Sequence, residues 1–436
     1  MRPRSWGWLG LVVVIICATM LAACGPTVSI ARHPTATPAT PGGDFEPQPY
    51  SPAEIRDAYG VTSLLRQGIT GKGQTVVLIE SYGDPMLQDD LDQFSARYGL
   101  PPVTVRVLAP LGTVPFDPNN SEITGWAGET ALDAEIVHAI APDAGIVVMT
   151  SPVDELEGTS GLPQFLQLEQ QAVSQHLGTI ISQSWGASEA TLSDSAGQAE
   201  IAQWAAFYQQ ATTTQGITFT TGSGDNGATD FTDMQATQLA SQRTTSFPTD
   251  QPWVTVVGGT TLLTDGSGHY EETAWNGCDG GAGGGGFSQF TPIPDFQKGL
   301  PASVLGQFNG HRGVPDVAAD GAPCSGWSIR AMGQWAVIGG TSAGAPLWAA
   351  LVALGNQMAG HPLGFINPAL YAIGISSKAA QDFRDVTQGN NSVDDKGVQV
   401  QGYNAGPGWD PVTGFGSPIA DHLLPDLVAA VQGGLA

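Results

Sequence analysis

The chain has 436 residues, of which 41% are hydrophobic, so it is long enough to bury a large core. Its 40 acidic residues outnumber its 15 lysines and arginines, and the formal net charge is -25 at pH 7. This shortage of basic residues argues against a nucleic-acid partner, because proteins bind phosphate groups through positively charged patches.

The N-terminus has the pattern of an export signal. Two arginines within the first four residues precede an apolar run from Trp8 to Ala23. The run ends in Leu-Ala-Ala-Cys, which resembles the bacterial lipobox. We therefore expect residues 1–23 to be a lipoprotein-type signal peptide and a lipid on Cys24 to anchor an exported protein at the cell surface. The alternatives are an ordinary signal with a chance cysteine and an uncleaved membrane anchor.

Residues 24–50 are rich in Pro, Thr and Gly and are predicted to form a disordered tether, whereas 51–436 have the pattern of one folded domain. In that domain short apolar runs alternate with amphipathic segments, which predicts an α/β fold with a largely parallel sheet between helices. The predicted strands cover 74–81, 144–151, 178–185, 217–224 and 253–259, and the predicted helices cover 87–98, 128–140, 161–177 and 198–214.

Two acidic residues are spaced for one face of a predicted helix. Glu129 and Asp133 lie four residues apart in GETALDAEIVHAI, and helical geometry brings such residues together. In a half-buried site the pair would share a proton, and one carboxyl pKa would be raised. The alternative is a solvated acidic face. His138 of the same helix is expected to be packed or at the surface rather than catalytic.

A third acid, Asp225, follows a predicted strand within TTGSGDNGATD. It is either a turn aspartate or a protonated acid that donates a hydrogen bond to an oxyanion. A serine, Ser342, follows an apolar strand at 335–340 and opens a helix behind two glycines. It is either a common N-cap serine or a nucleophile beside an amide cluster. No histidine lies in a subtilisin-type motif, so a carboxylate is the expected base.

Together these segments resemble the sedolisin family of serine-carboxyl peptidases, whose nucleophile motif matches Gly340-Thr341-Ser342 followed by Pro346. The segments 182–189, 247–262 and 312–320 resemble the family's framework in its order. The resemblance implies a subtilisin-like twisted parallel sheet flanked by helices. It also implies these roles: Ser342 is the nucleophile, Glu129 its general base, Asp133 the residue that orients Glu129, and Asp225 the oxyanion donor together with the backbone amide of Ser342.

The same resemblance implies a C-terminal calcium site. The family's site uses an Asp, the next residue's carbonyl and a Gly-x-Gly-x-Asp loop, and calcium prefers such oxygen ligands. The alternative is a Gly-rich acidic loop with no ion. The corresponding residues here are Asp385, Val386, Gly406, Gly408 and Asp410.

One departure concerns the N-terminus, since many sedolisins carry a large pro-domain. The resemblance begins near Ser51, close behind Cys24, and leaves no room for that domain. Outside the signal region the cysteines are Cys278 and Cys324, which an exported protein could pair.

The sequence thus predicts a monomeric, calcium-binding, acid-acting endopeptidase of polypeptide substrates that meets the membrane only through its lipid. The rivals are an inactive peptide-binding module of the same fold and a subtilisin-type Asp-His-Ser enzyme, which lacks its histidine motif here.

Overall fold

The computed structural model describes residues 45–155, 157–278, 280–395 and 397–433. The predicted signal peptide (1–23), the predicted lipid site Cys24 and the predicted tether as far as residue 44 lie outside the described residues.

The folded part begins before the predicted boundary at residue 51. The backbone of Glu46 pairs with that of Thr264, and Tyr50 pairs with Trp327. The Tyr50 side chain is fully buried, so these residues belong to the packed domain and not to a tether.

The described residues contain the following elements. The strands are β1 (Thr75–Ser81), β2 (Arg106–Leu108), β3 (Gly145–Ser151), β4 (Ile180–Gln183), β5 (Ala187–Ser188), β6 (Thr218–Gly222), β7 (Ser246–Phe247), β8 (Val254–Thr264), β9 (Tyr270–Ala274), β10 (Gly286–Pro292), β11 (His311–Val314), β12 (Val317–Asp320), β13 (Trp327–Ala331), β14 (Gln334–Ile338), β15 (Phe383–Arg384), β16 (Val393–Asp395), β17 (Val398–Val400) and β18 (Ser417–Pro418). The α-helices are α1 (Pro52–Ala58), α2 (Val61–Arg66), α3 (Leu87–Tyr98), α4 (Ser121–Ile140), α5 (Leu162–Ser174), α6 (Ser195–Gln215), α7 (Ala302–Leu305), α8 (Gly344–Ala359), α9 (Asn367–Gly374), α10 (Ala379–Asp382) and α11 (Ala420–Val431). Short 3-10 turns span Glu189–Leu192, Asp295–Gly299, Pro323–Ser325 and Thr341–Ala343.

A parallel sheet forms the centre of the domain, in the order β12–β8–β6–β4–β1–β3–β2. Each neighbouring pair in this order is parallel, and β9 adds an antiparallel strand to β8. This arrangement confirms the predicted parallel sheet.

Helices cover both faces of the sheet, as alternation along β1 illustrates. Val76 and Leu78 belong to a core that includes residues of α3, α4, α8 and α11. Val77 and Ile79 point to the other face and pack in a second core with α5 and α6. Among the described residues, no helix combines the length and the apolar character that crossing a membrane requires.

The helix that carries the predicted acidic pair is longer than predicted. α4 begins at Ser121 rather than at 128, because Asn120 caps it by accepting hydrogen bonds from the N–H groups of Glu122 and Ile123. From Ala127 onward the helix is buried on all sides between the sheet and α8.

The apolar strand predicted at 335–340, before Ser342, is present with slightly different bounds. Residues Gln334–Ile338 form β14, which pairs only with β13 in an antiparallel hairpin outside the central sheet. Its side chains are mostly exposed or half-buried, so its apolar sequence does not reflect a place in the core.

Candidate active site

The predicted acidic pair is buried. On α4 the side chain of Glu129 is 5% exposed and that of Asp133 is 0% exposed. A solvated acidic face is therefore excluded. Burial, followed by the negative charge of Glu129, raises the pKa of the Asp133 carboxyl well above its ordinary value.

A third carboxyl group, that of Glu80, joins this pair from β1. Glu80 is fully buried, and burial together with the charges of Asp133 and Glu129 raises its pKa well above the ordinary value. Its carboxyl group lies within hydrogen-bonding reach of Asp133, an interaction that needs a proton on one of the two. The three groups therefore form a cluster in which protonation is shared. We refer to Glu80, Glu129 and Asp133 as the carboxyl cluster.

Sequence analysis missed Glu80. The available signal was an acidic residue near the carboxyl end of an otherwise apolar strand, in QTVVLIES. Parallel strands place their carboxyl ends along the edge where ligand sites form, so an acid at that position was a candidate.

Ser184 connects the carboxyl cluster to the segment of the predicted nucleophile. Its hydroxyl lies 2.8 Å from Oδ2 of Asp133 and 3.3 Å from the carbonyl oxygen of Ser342, and both are acceptors. Ser184 directly follows β4, next to β1, so the sheet fixes its position.

Ser342 lies in the 3-10 turn Thr341–Ala343, which leads directly into α8. Its side chain is 7% exposed. Although the preceding strand is outside the sheet, this turn packs on the carboxyl end of β6, where a Cβ added to Gly222 would lie 2.8 Å from the hydroxyl of Thr341. The turn of Ser342 therefore lies at the carboxyl end of β6.

Asp225 follows β6 and is tied to the same turn. Its Oδ1 accepts hydrogen bonds from the backbone N–H and from the hydroxyl of Thr341, each at 2.8 Å. Its Oδ2 faces Gly340, where an added Cβ would lie 2.8 Å from Oδ2 and 3.7 Å from the backbone nitrogen of Ser342. Gly340 has φ 109°, a conformation that other residues rarely adopt.

Burial raises the pKa of Asp225 above its ordinary value, although the two hydrogen bonds from Thr341 act in the opposite direction. A raised pKa favours the protonated form, which can donate a hydrogen bond. His138 is packed, as expected: its side chain is buried, and its Nε2 lies 2.9 Å from the carbonyl oxygen of Pro101.

The structure also brings the predicted calcium-binding residues into one region. The N–H of Gly408 donates to Asp385, and the N–H of Gly406 donates to Asp410, at 2.9 and 3.0 Å. Asp410 is 6% exposed, and burial raises its pKa to about 7. Within the described ranges, no group of three or more His, Cys, Asp or Glu side chains is arranged to hold a metal.

The hydroxyl of Thr413 contacts two of the oxygens that are predicted to bind calcium. The hydroxyl of Thr413 lies 3.5 Å from the carbonyl oxygen of Val386 and 3.1 Å from Oδ2 of Asp410. The donor set is thus two carboxylates with loop carbonyls, and the buried Asp410 carboxylate would be stabilised by a cation.

The comparisons with known proteins agree with this fold. No protein-family model matches the chain. The solved structure of Pseudomonas sedolisin, a serine-carboxyl proteinase complexed with two molecules of pseudo-iodotyrostatin, matches with a TM-score of 0.73 and 29% identity. The match covers 87% of this chain and 98% of that one.

Kumamolisin from Bacillus sp. (strain MN-32) is 36% identical over 405 residues, which cover 89% of this chain and 67% of kumamolisin. The chain belongs to the sedolisin family. Sedolisin from Pseudomonas sp. (strain 101) is 33% identical, with 84% of this chain and 59% of sedolisin covered. Human tripeptidyl-peptidase 1 is 29% identical, with 87% and 64% covered. The chain thus spans about three fifths to two thirds of the length of these relatives.

In this sedolisin-type serine peptidase, the segments of the four residues predicted for catalysis are linked by a series of contacts. Hydrogen bonds of Ser184 link Asp133 to the backbone of Ser342, and those of Thr341 reach Asp225. Glu129 lies beside Asp133, whose pKa its charge raises.

Proposed function

We propose that the protein is an acid-acting serine-carboxyl endopeptidase that cleaves polypeptides through an acyl-enzyme on Ser342. The observation that carries this proposal is the contact of the Ser184 hydroxyl with both Asp133 and the carbonyl of Ser342. It ties a buried carboxyl cluster, in place of a histidine, to the turn of the nucleophile.

In the first step, the Glu129 carboxylate accepts the hydroxyl proton of Ser342 while Oγ attacks the scissile carbonyl carbon. When the tetrahedral intermediate collapses, Glu129 returns the proton to the leaving amine, and an ester on Ser342 remains. A water molecule then attacks the ester carbon and gives one proton to Glu129. As this second tetrahedral intermediate collapses, Glu129 returns the proton to Oγ of Ser342, which leaves the acid product, the free hydroxyl and the Glu129 carboxylate.

Asp133 and Glu80 act behind the base. Both are fully buried, and both have raised carboxyl pKa values, which favours their protonated forms. A proton on Asp133 lets this residue donate to Glu129 and orient it. Because the base is a carboxyl group, it remains functional in acid where an imidazole would be fully protonated.

The protonated Asp225 and the backbone N–H of Ser342 are the donors to the oxyanion. The position of Oδ2 beside Gly340 supports this role. Stabilisation of the oxyanion requires a donor, and Asp225 can donate only below its raised pKa. Activity should consequently fall as pH rises through the pKa values of Asp225 and the carboxyl cluster.

Calcium is proposed as a structural ion in the C-terminal loops. Asp385 and Asp410 would supply carboxylate oxygens, and Val386, Gly406 and Gly408 would supply carbonyl oxygens. The buried Asp410 carboxylate, whose pKa burial raises to about 7, supports the proposal because a bound cation would offset the cost of its charge. The ion would stabilise the fold, and it takes no part in the acyl transfer.

Substrates and location are proposed from the family and from the N-terminal sequence. Polypeptides outside the cell are the expected substrates of an exported peptidase anchored through lipid on Cys24, with the chain acting as a monomer. These assignments are independent of the chemistry at Ser342.

The experiment that tests the proposed function is digestion of casein at about pH 4 by the wild type and by Ser342→Ala. The proposal expects fragments from the wild type only. Internal fragments in mass spectrometry would identify an endopeptidase, and release of residues from one terminus would identify an exopeptidase. Peptide binding without cleavage by the wild type would instead support the inactive binding module.

A further inference from the structure

A disulfide joins Cys278 and Cys324, whose Cα atoms are 5.6 Å apart. This confirms the pairing that the sequence left open. Cys278 lies in the loop after β9, and Cys324 lies in the 3-10 turn after β12. Both cysteines are partly exposed. Neither loop contains a residue of the proposed chemistry, yet each contacts one side of the proposed oxyanion site.

The loop of Cys278 holds the backbone around Asp225. The N–H of Ala282 donates to the carbonyl oxygen of Asp225 at 3.0 Å, and the N–H of Gly227 donates to the carbonyl oxygen of Ala282 at 2.9 Å. These two hydrogen bonds connect the loop to Asp225 and to Gly227, two residues further along the chain. A shift of the loop would therefore shift Asp225.

The packing of the same loop on Asp225 is close. A Cβ added to Gly281 would lie 3.0 Å from the carbonyl oxygen of Asp225 and 2.7 Å from the ring of Trp275. A further hydrogen bond runs from the N–H of Gly284 to the carbonyl oxygen of Gly224 at 2.7 Å. The loop thus packs directly against the backbone of Asp225.

The turn of Cys324 holds the segment just before the nucleophile. The N–H of Gly340 donates to the carbonyl oxygen of Gly321 at 2.6 Å. A Cβ added to Gly339 would lie 2.6 Å from the same oxygen and 2.7 Å from the nitrogen of Pro323. The backbone that leads into Thr341 is therefore in direct contact with residues that flank Cys324.

Thr341 connects the two halves, because its N–H and its hydroxyl both bind Asp225. Contacts run from the loop of Cys278 through Asp225 and Thr341 to the turn of Cys324, and the disulfide closes this ring covalently.

We infer that the Cys278–Cys324 disulfide is a positioning element, which holds Asp225 at the proposed oxyanion site beside the backbone of Ser342. The inference rests on the proposed function. It has a physical basis in the glycines of both loops, since glycine loses more conformational freedom on ordering than any other residue. A cross-link reduces that freedom before the substrate binds, and small displacements of catalytic donors strongly reduce rates.

The test compares the wild type with the double variant Cys278→Ser/Cys324→Ser on a peptide substrate in acid. We expect kcat to fall by about ten- to a hundredfold with KM unchanged, because the proposed oxyanion donor acts in the transition state. We also expect the upper limb of the pH profile to move to lower pH, because water that reaches Asp225 would reduce the effect of burial on its pKa.

Reduction of the wild type provides a second measurement if the double variant does not fold. Dithiothreitol transfers two electrons and two protons to the disulfide, which becomes two thiols, while the reductant becomes a cyclic disulfide. The same loss of kcat should appear, and reoxidation should restore it. Unchanged kcat in protein whose thiols titrate as fully reduced would overturn the inference.

General destabilisation needs a control, for which Asp194→Ala is suitable. Asp194 caps α6 by accepting hydrogen bonds from the N–H groups of Ala196 and Gly197, and it has no part in the ring. This variant should have a lower melting temperature with unchanged kcat and pH profile. Equal losses of kcat in both variants at equal loss of stability would contradict a positioning role.

Hydrogen exchange separates this inference from the proposed function, since it does not require activity. Reduction should speed exchange at 222–228 and 339–343 and leave α4 unaffected. A change confined to the disulfide's own loops, at 276–283 and 322–326, would contradict the inference. An inactive wild type would contradict the proposed function, and the exchange comparison would still test the disulfide.

Discussion

Thr341 donates both its backbone N–H and its hydroxyl to the same oxygen of Asp225, each at 2.8 Å. The same hydroxyl accepts the N–H of Gly224 at 3.0 Å, so the backbone on both sides of the contact is fixed. Because Oδ1 is occupied as an acceptor, Oδ2 is the oxygen that can carry a proton. It is also the oxygen that faces Gly340 and the turn of Ser342.

The first prediction concerns Asp225→Asn. An amide keeps an acceptor for Thr341 and a donor for the oxyanion, and it does not titrate. One oxyanion donor typically lowers the activation free energy by about 2.7–4 kcal/mol, so we expect the rate at the optimum to fall by at most the corresponding factor. We also expect activity to persist to higher pH. The measurement is kcat/KM from pH 2.5 to 8.

The control is Asp89→Asn, which changes an exposed aspartate on α3 and should leave the profile unchanged. If the upper limb of the pH profile is the same in Asp225→Asn as in the wild type, that limb reports titration of the carboxyl cluster and not of Asp225.

The second prediction concerns stability and Glu135, which is fully buried on α4 and accepts a hydrogen bond from the N–H of Arg330 at 2.9 Å. Burial raises the pKa of Glu135 to about 9. The folded state therefore retains a proton that the unfolded state loses at lower pH. The contribution of protonated Glu135 to the free energy of unfolding is complete below the pKa that this group has in the unfolded state. It is lost, at about 1.4 kcal/mol per pH unit, as pH rises toward the pKa that the group has in the folded state.

Glu135→Gln removes this titration while it keeps an acceptor for Arg330. Between pH 5 and 7 the free energy of unfolding should fall less steeply in the variant, by on the order of 2–3 kcal/mol over the interval. Denaturant unfolding at both pH values measures the difference. The exposed Glu271→Gln serves as the matched control. Parallel pH dependence of wild type and Glu135→Gln would mean that Glu135 is not protonated in the folded state.

The third prediction concerns calcium. A chelator should lower the melting temperature, since an ion that binds only the folded state at a hundredfold excess over Kd stabilises it by about 2.7 kcal/mol. Asp410→Ala should abolish this calcium-dependent increment, and Asp394→Ala, at an exposed position, should retain it. Folded protein that contains no calcium in elemental analysis and shows no shift with added calcium would exclude the site.

The fourth prediction concerns the lipid anchor. Cys24→Ser should move the protein from the membrane fraction to soluble material or leave an unprocessed precursor. Cys17→Ser, within the same predicted signal peptide, should fractionate as the wild type does. A wild type without lipid, recovered in the same fraction as Cys24→Ser, would remove the basis for the anchor.

Much of the fold could be predicted from the sequence because its elements carry strong local signals. The predicted helix 87–98 has the observed bounds, Leu87–Tyr98, since its apolar spacing is regular and Gly99 ends it. The start of α4 was predicted less well, because Gly125 and Gly128 weaken the helical signal after Asn120, although Asn120 is the cap.

The site shows where sequence reasoning is limited. Spacing alone could place Glu129 and Asp133 on one face, but only the fold determines that this face is buried. Glu80 contacts the pair from β1, and residue spacing within one element cannot predict a contact between two elements. The apolar strand predicted at 335–340 is present as β14, but the sequence did not indicate that it lies in a surface hairpin outside the central sheet.

The central claim is that a carboxyl group, not a histidine, activates Ser342. The most direct test is kcat/KM of the wild type on a peptide substrate from pH 2.5 to 8, with Ser342→Ala as the blank. We predict an optimum below about pH 5, and a fall in kcat/KM between about pH 5 and 7 as the raised carboxyl pKa values are passed. An optimum above pH 7, with activity lost in acid, would contradict it.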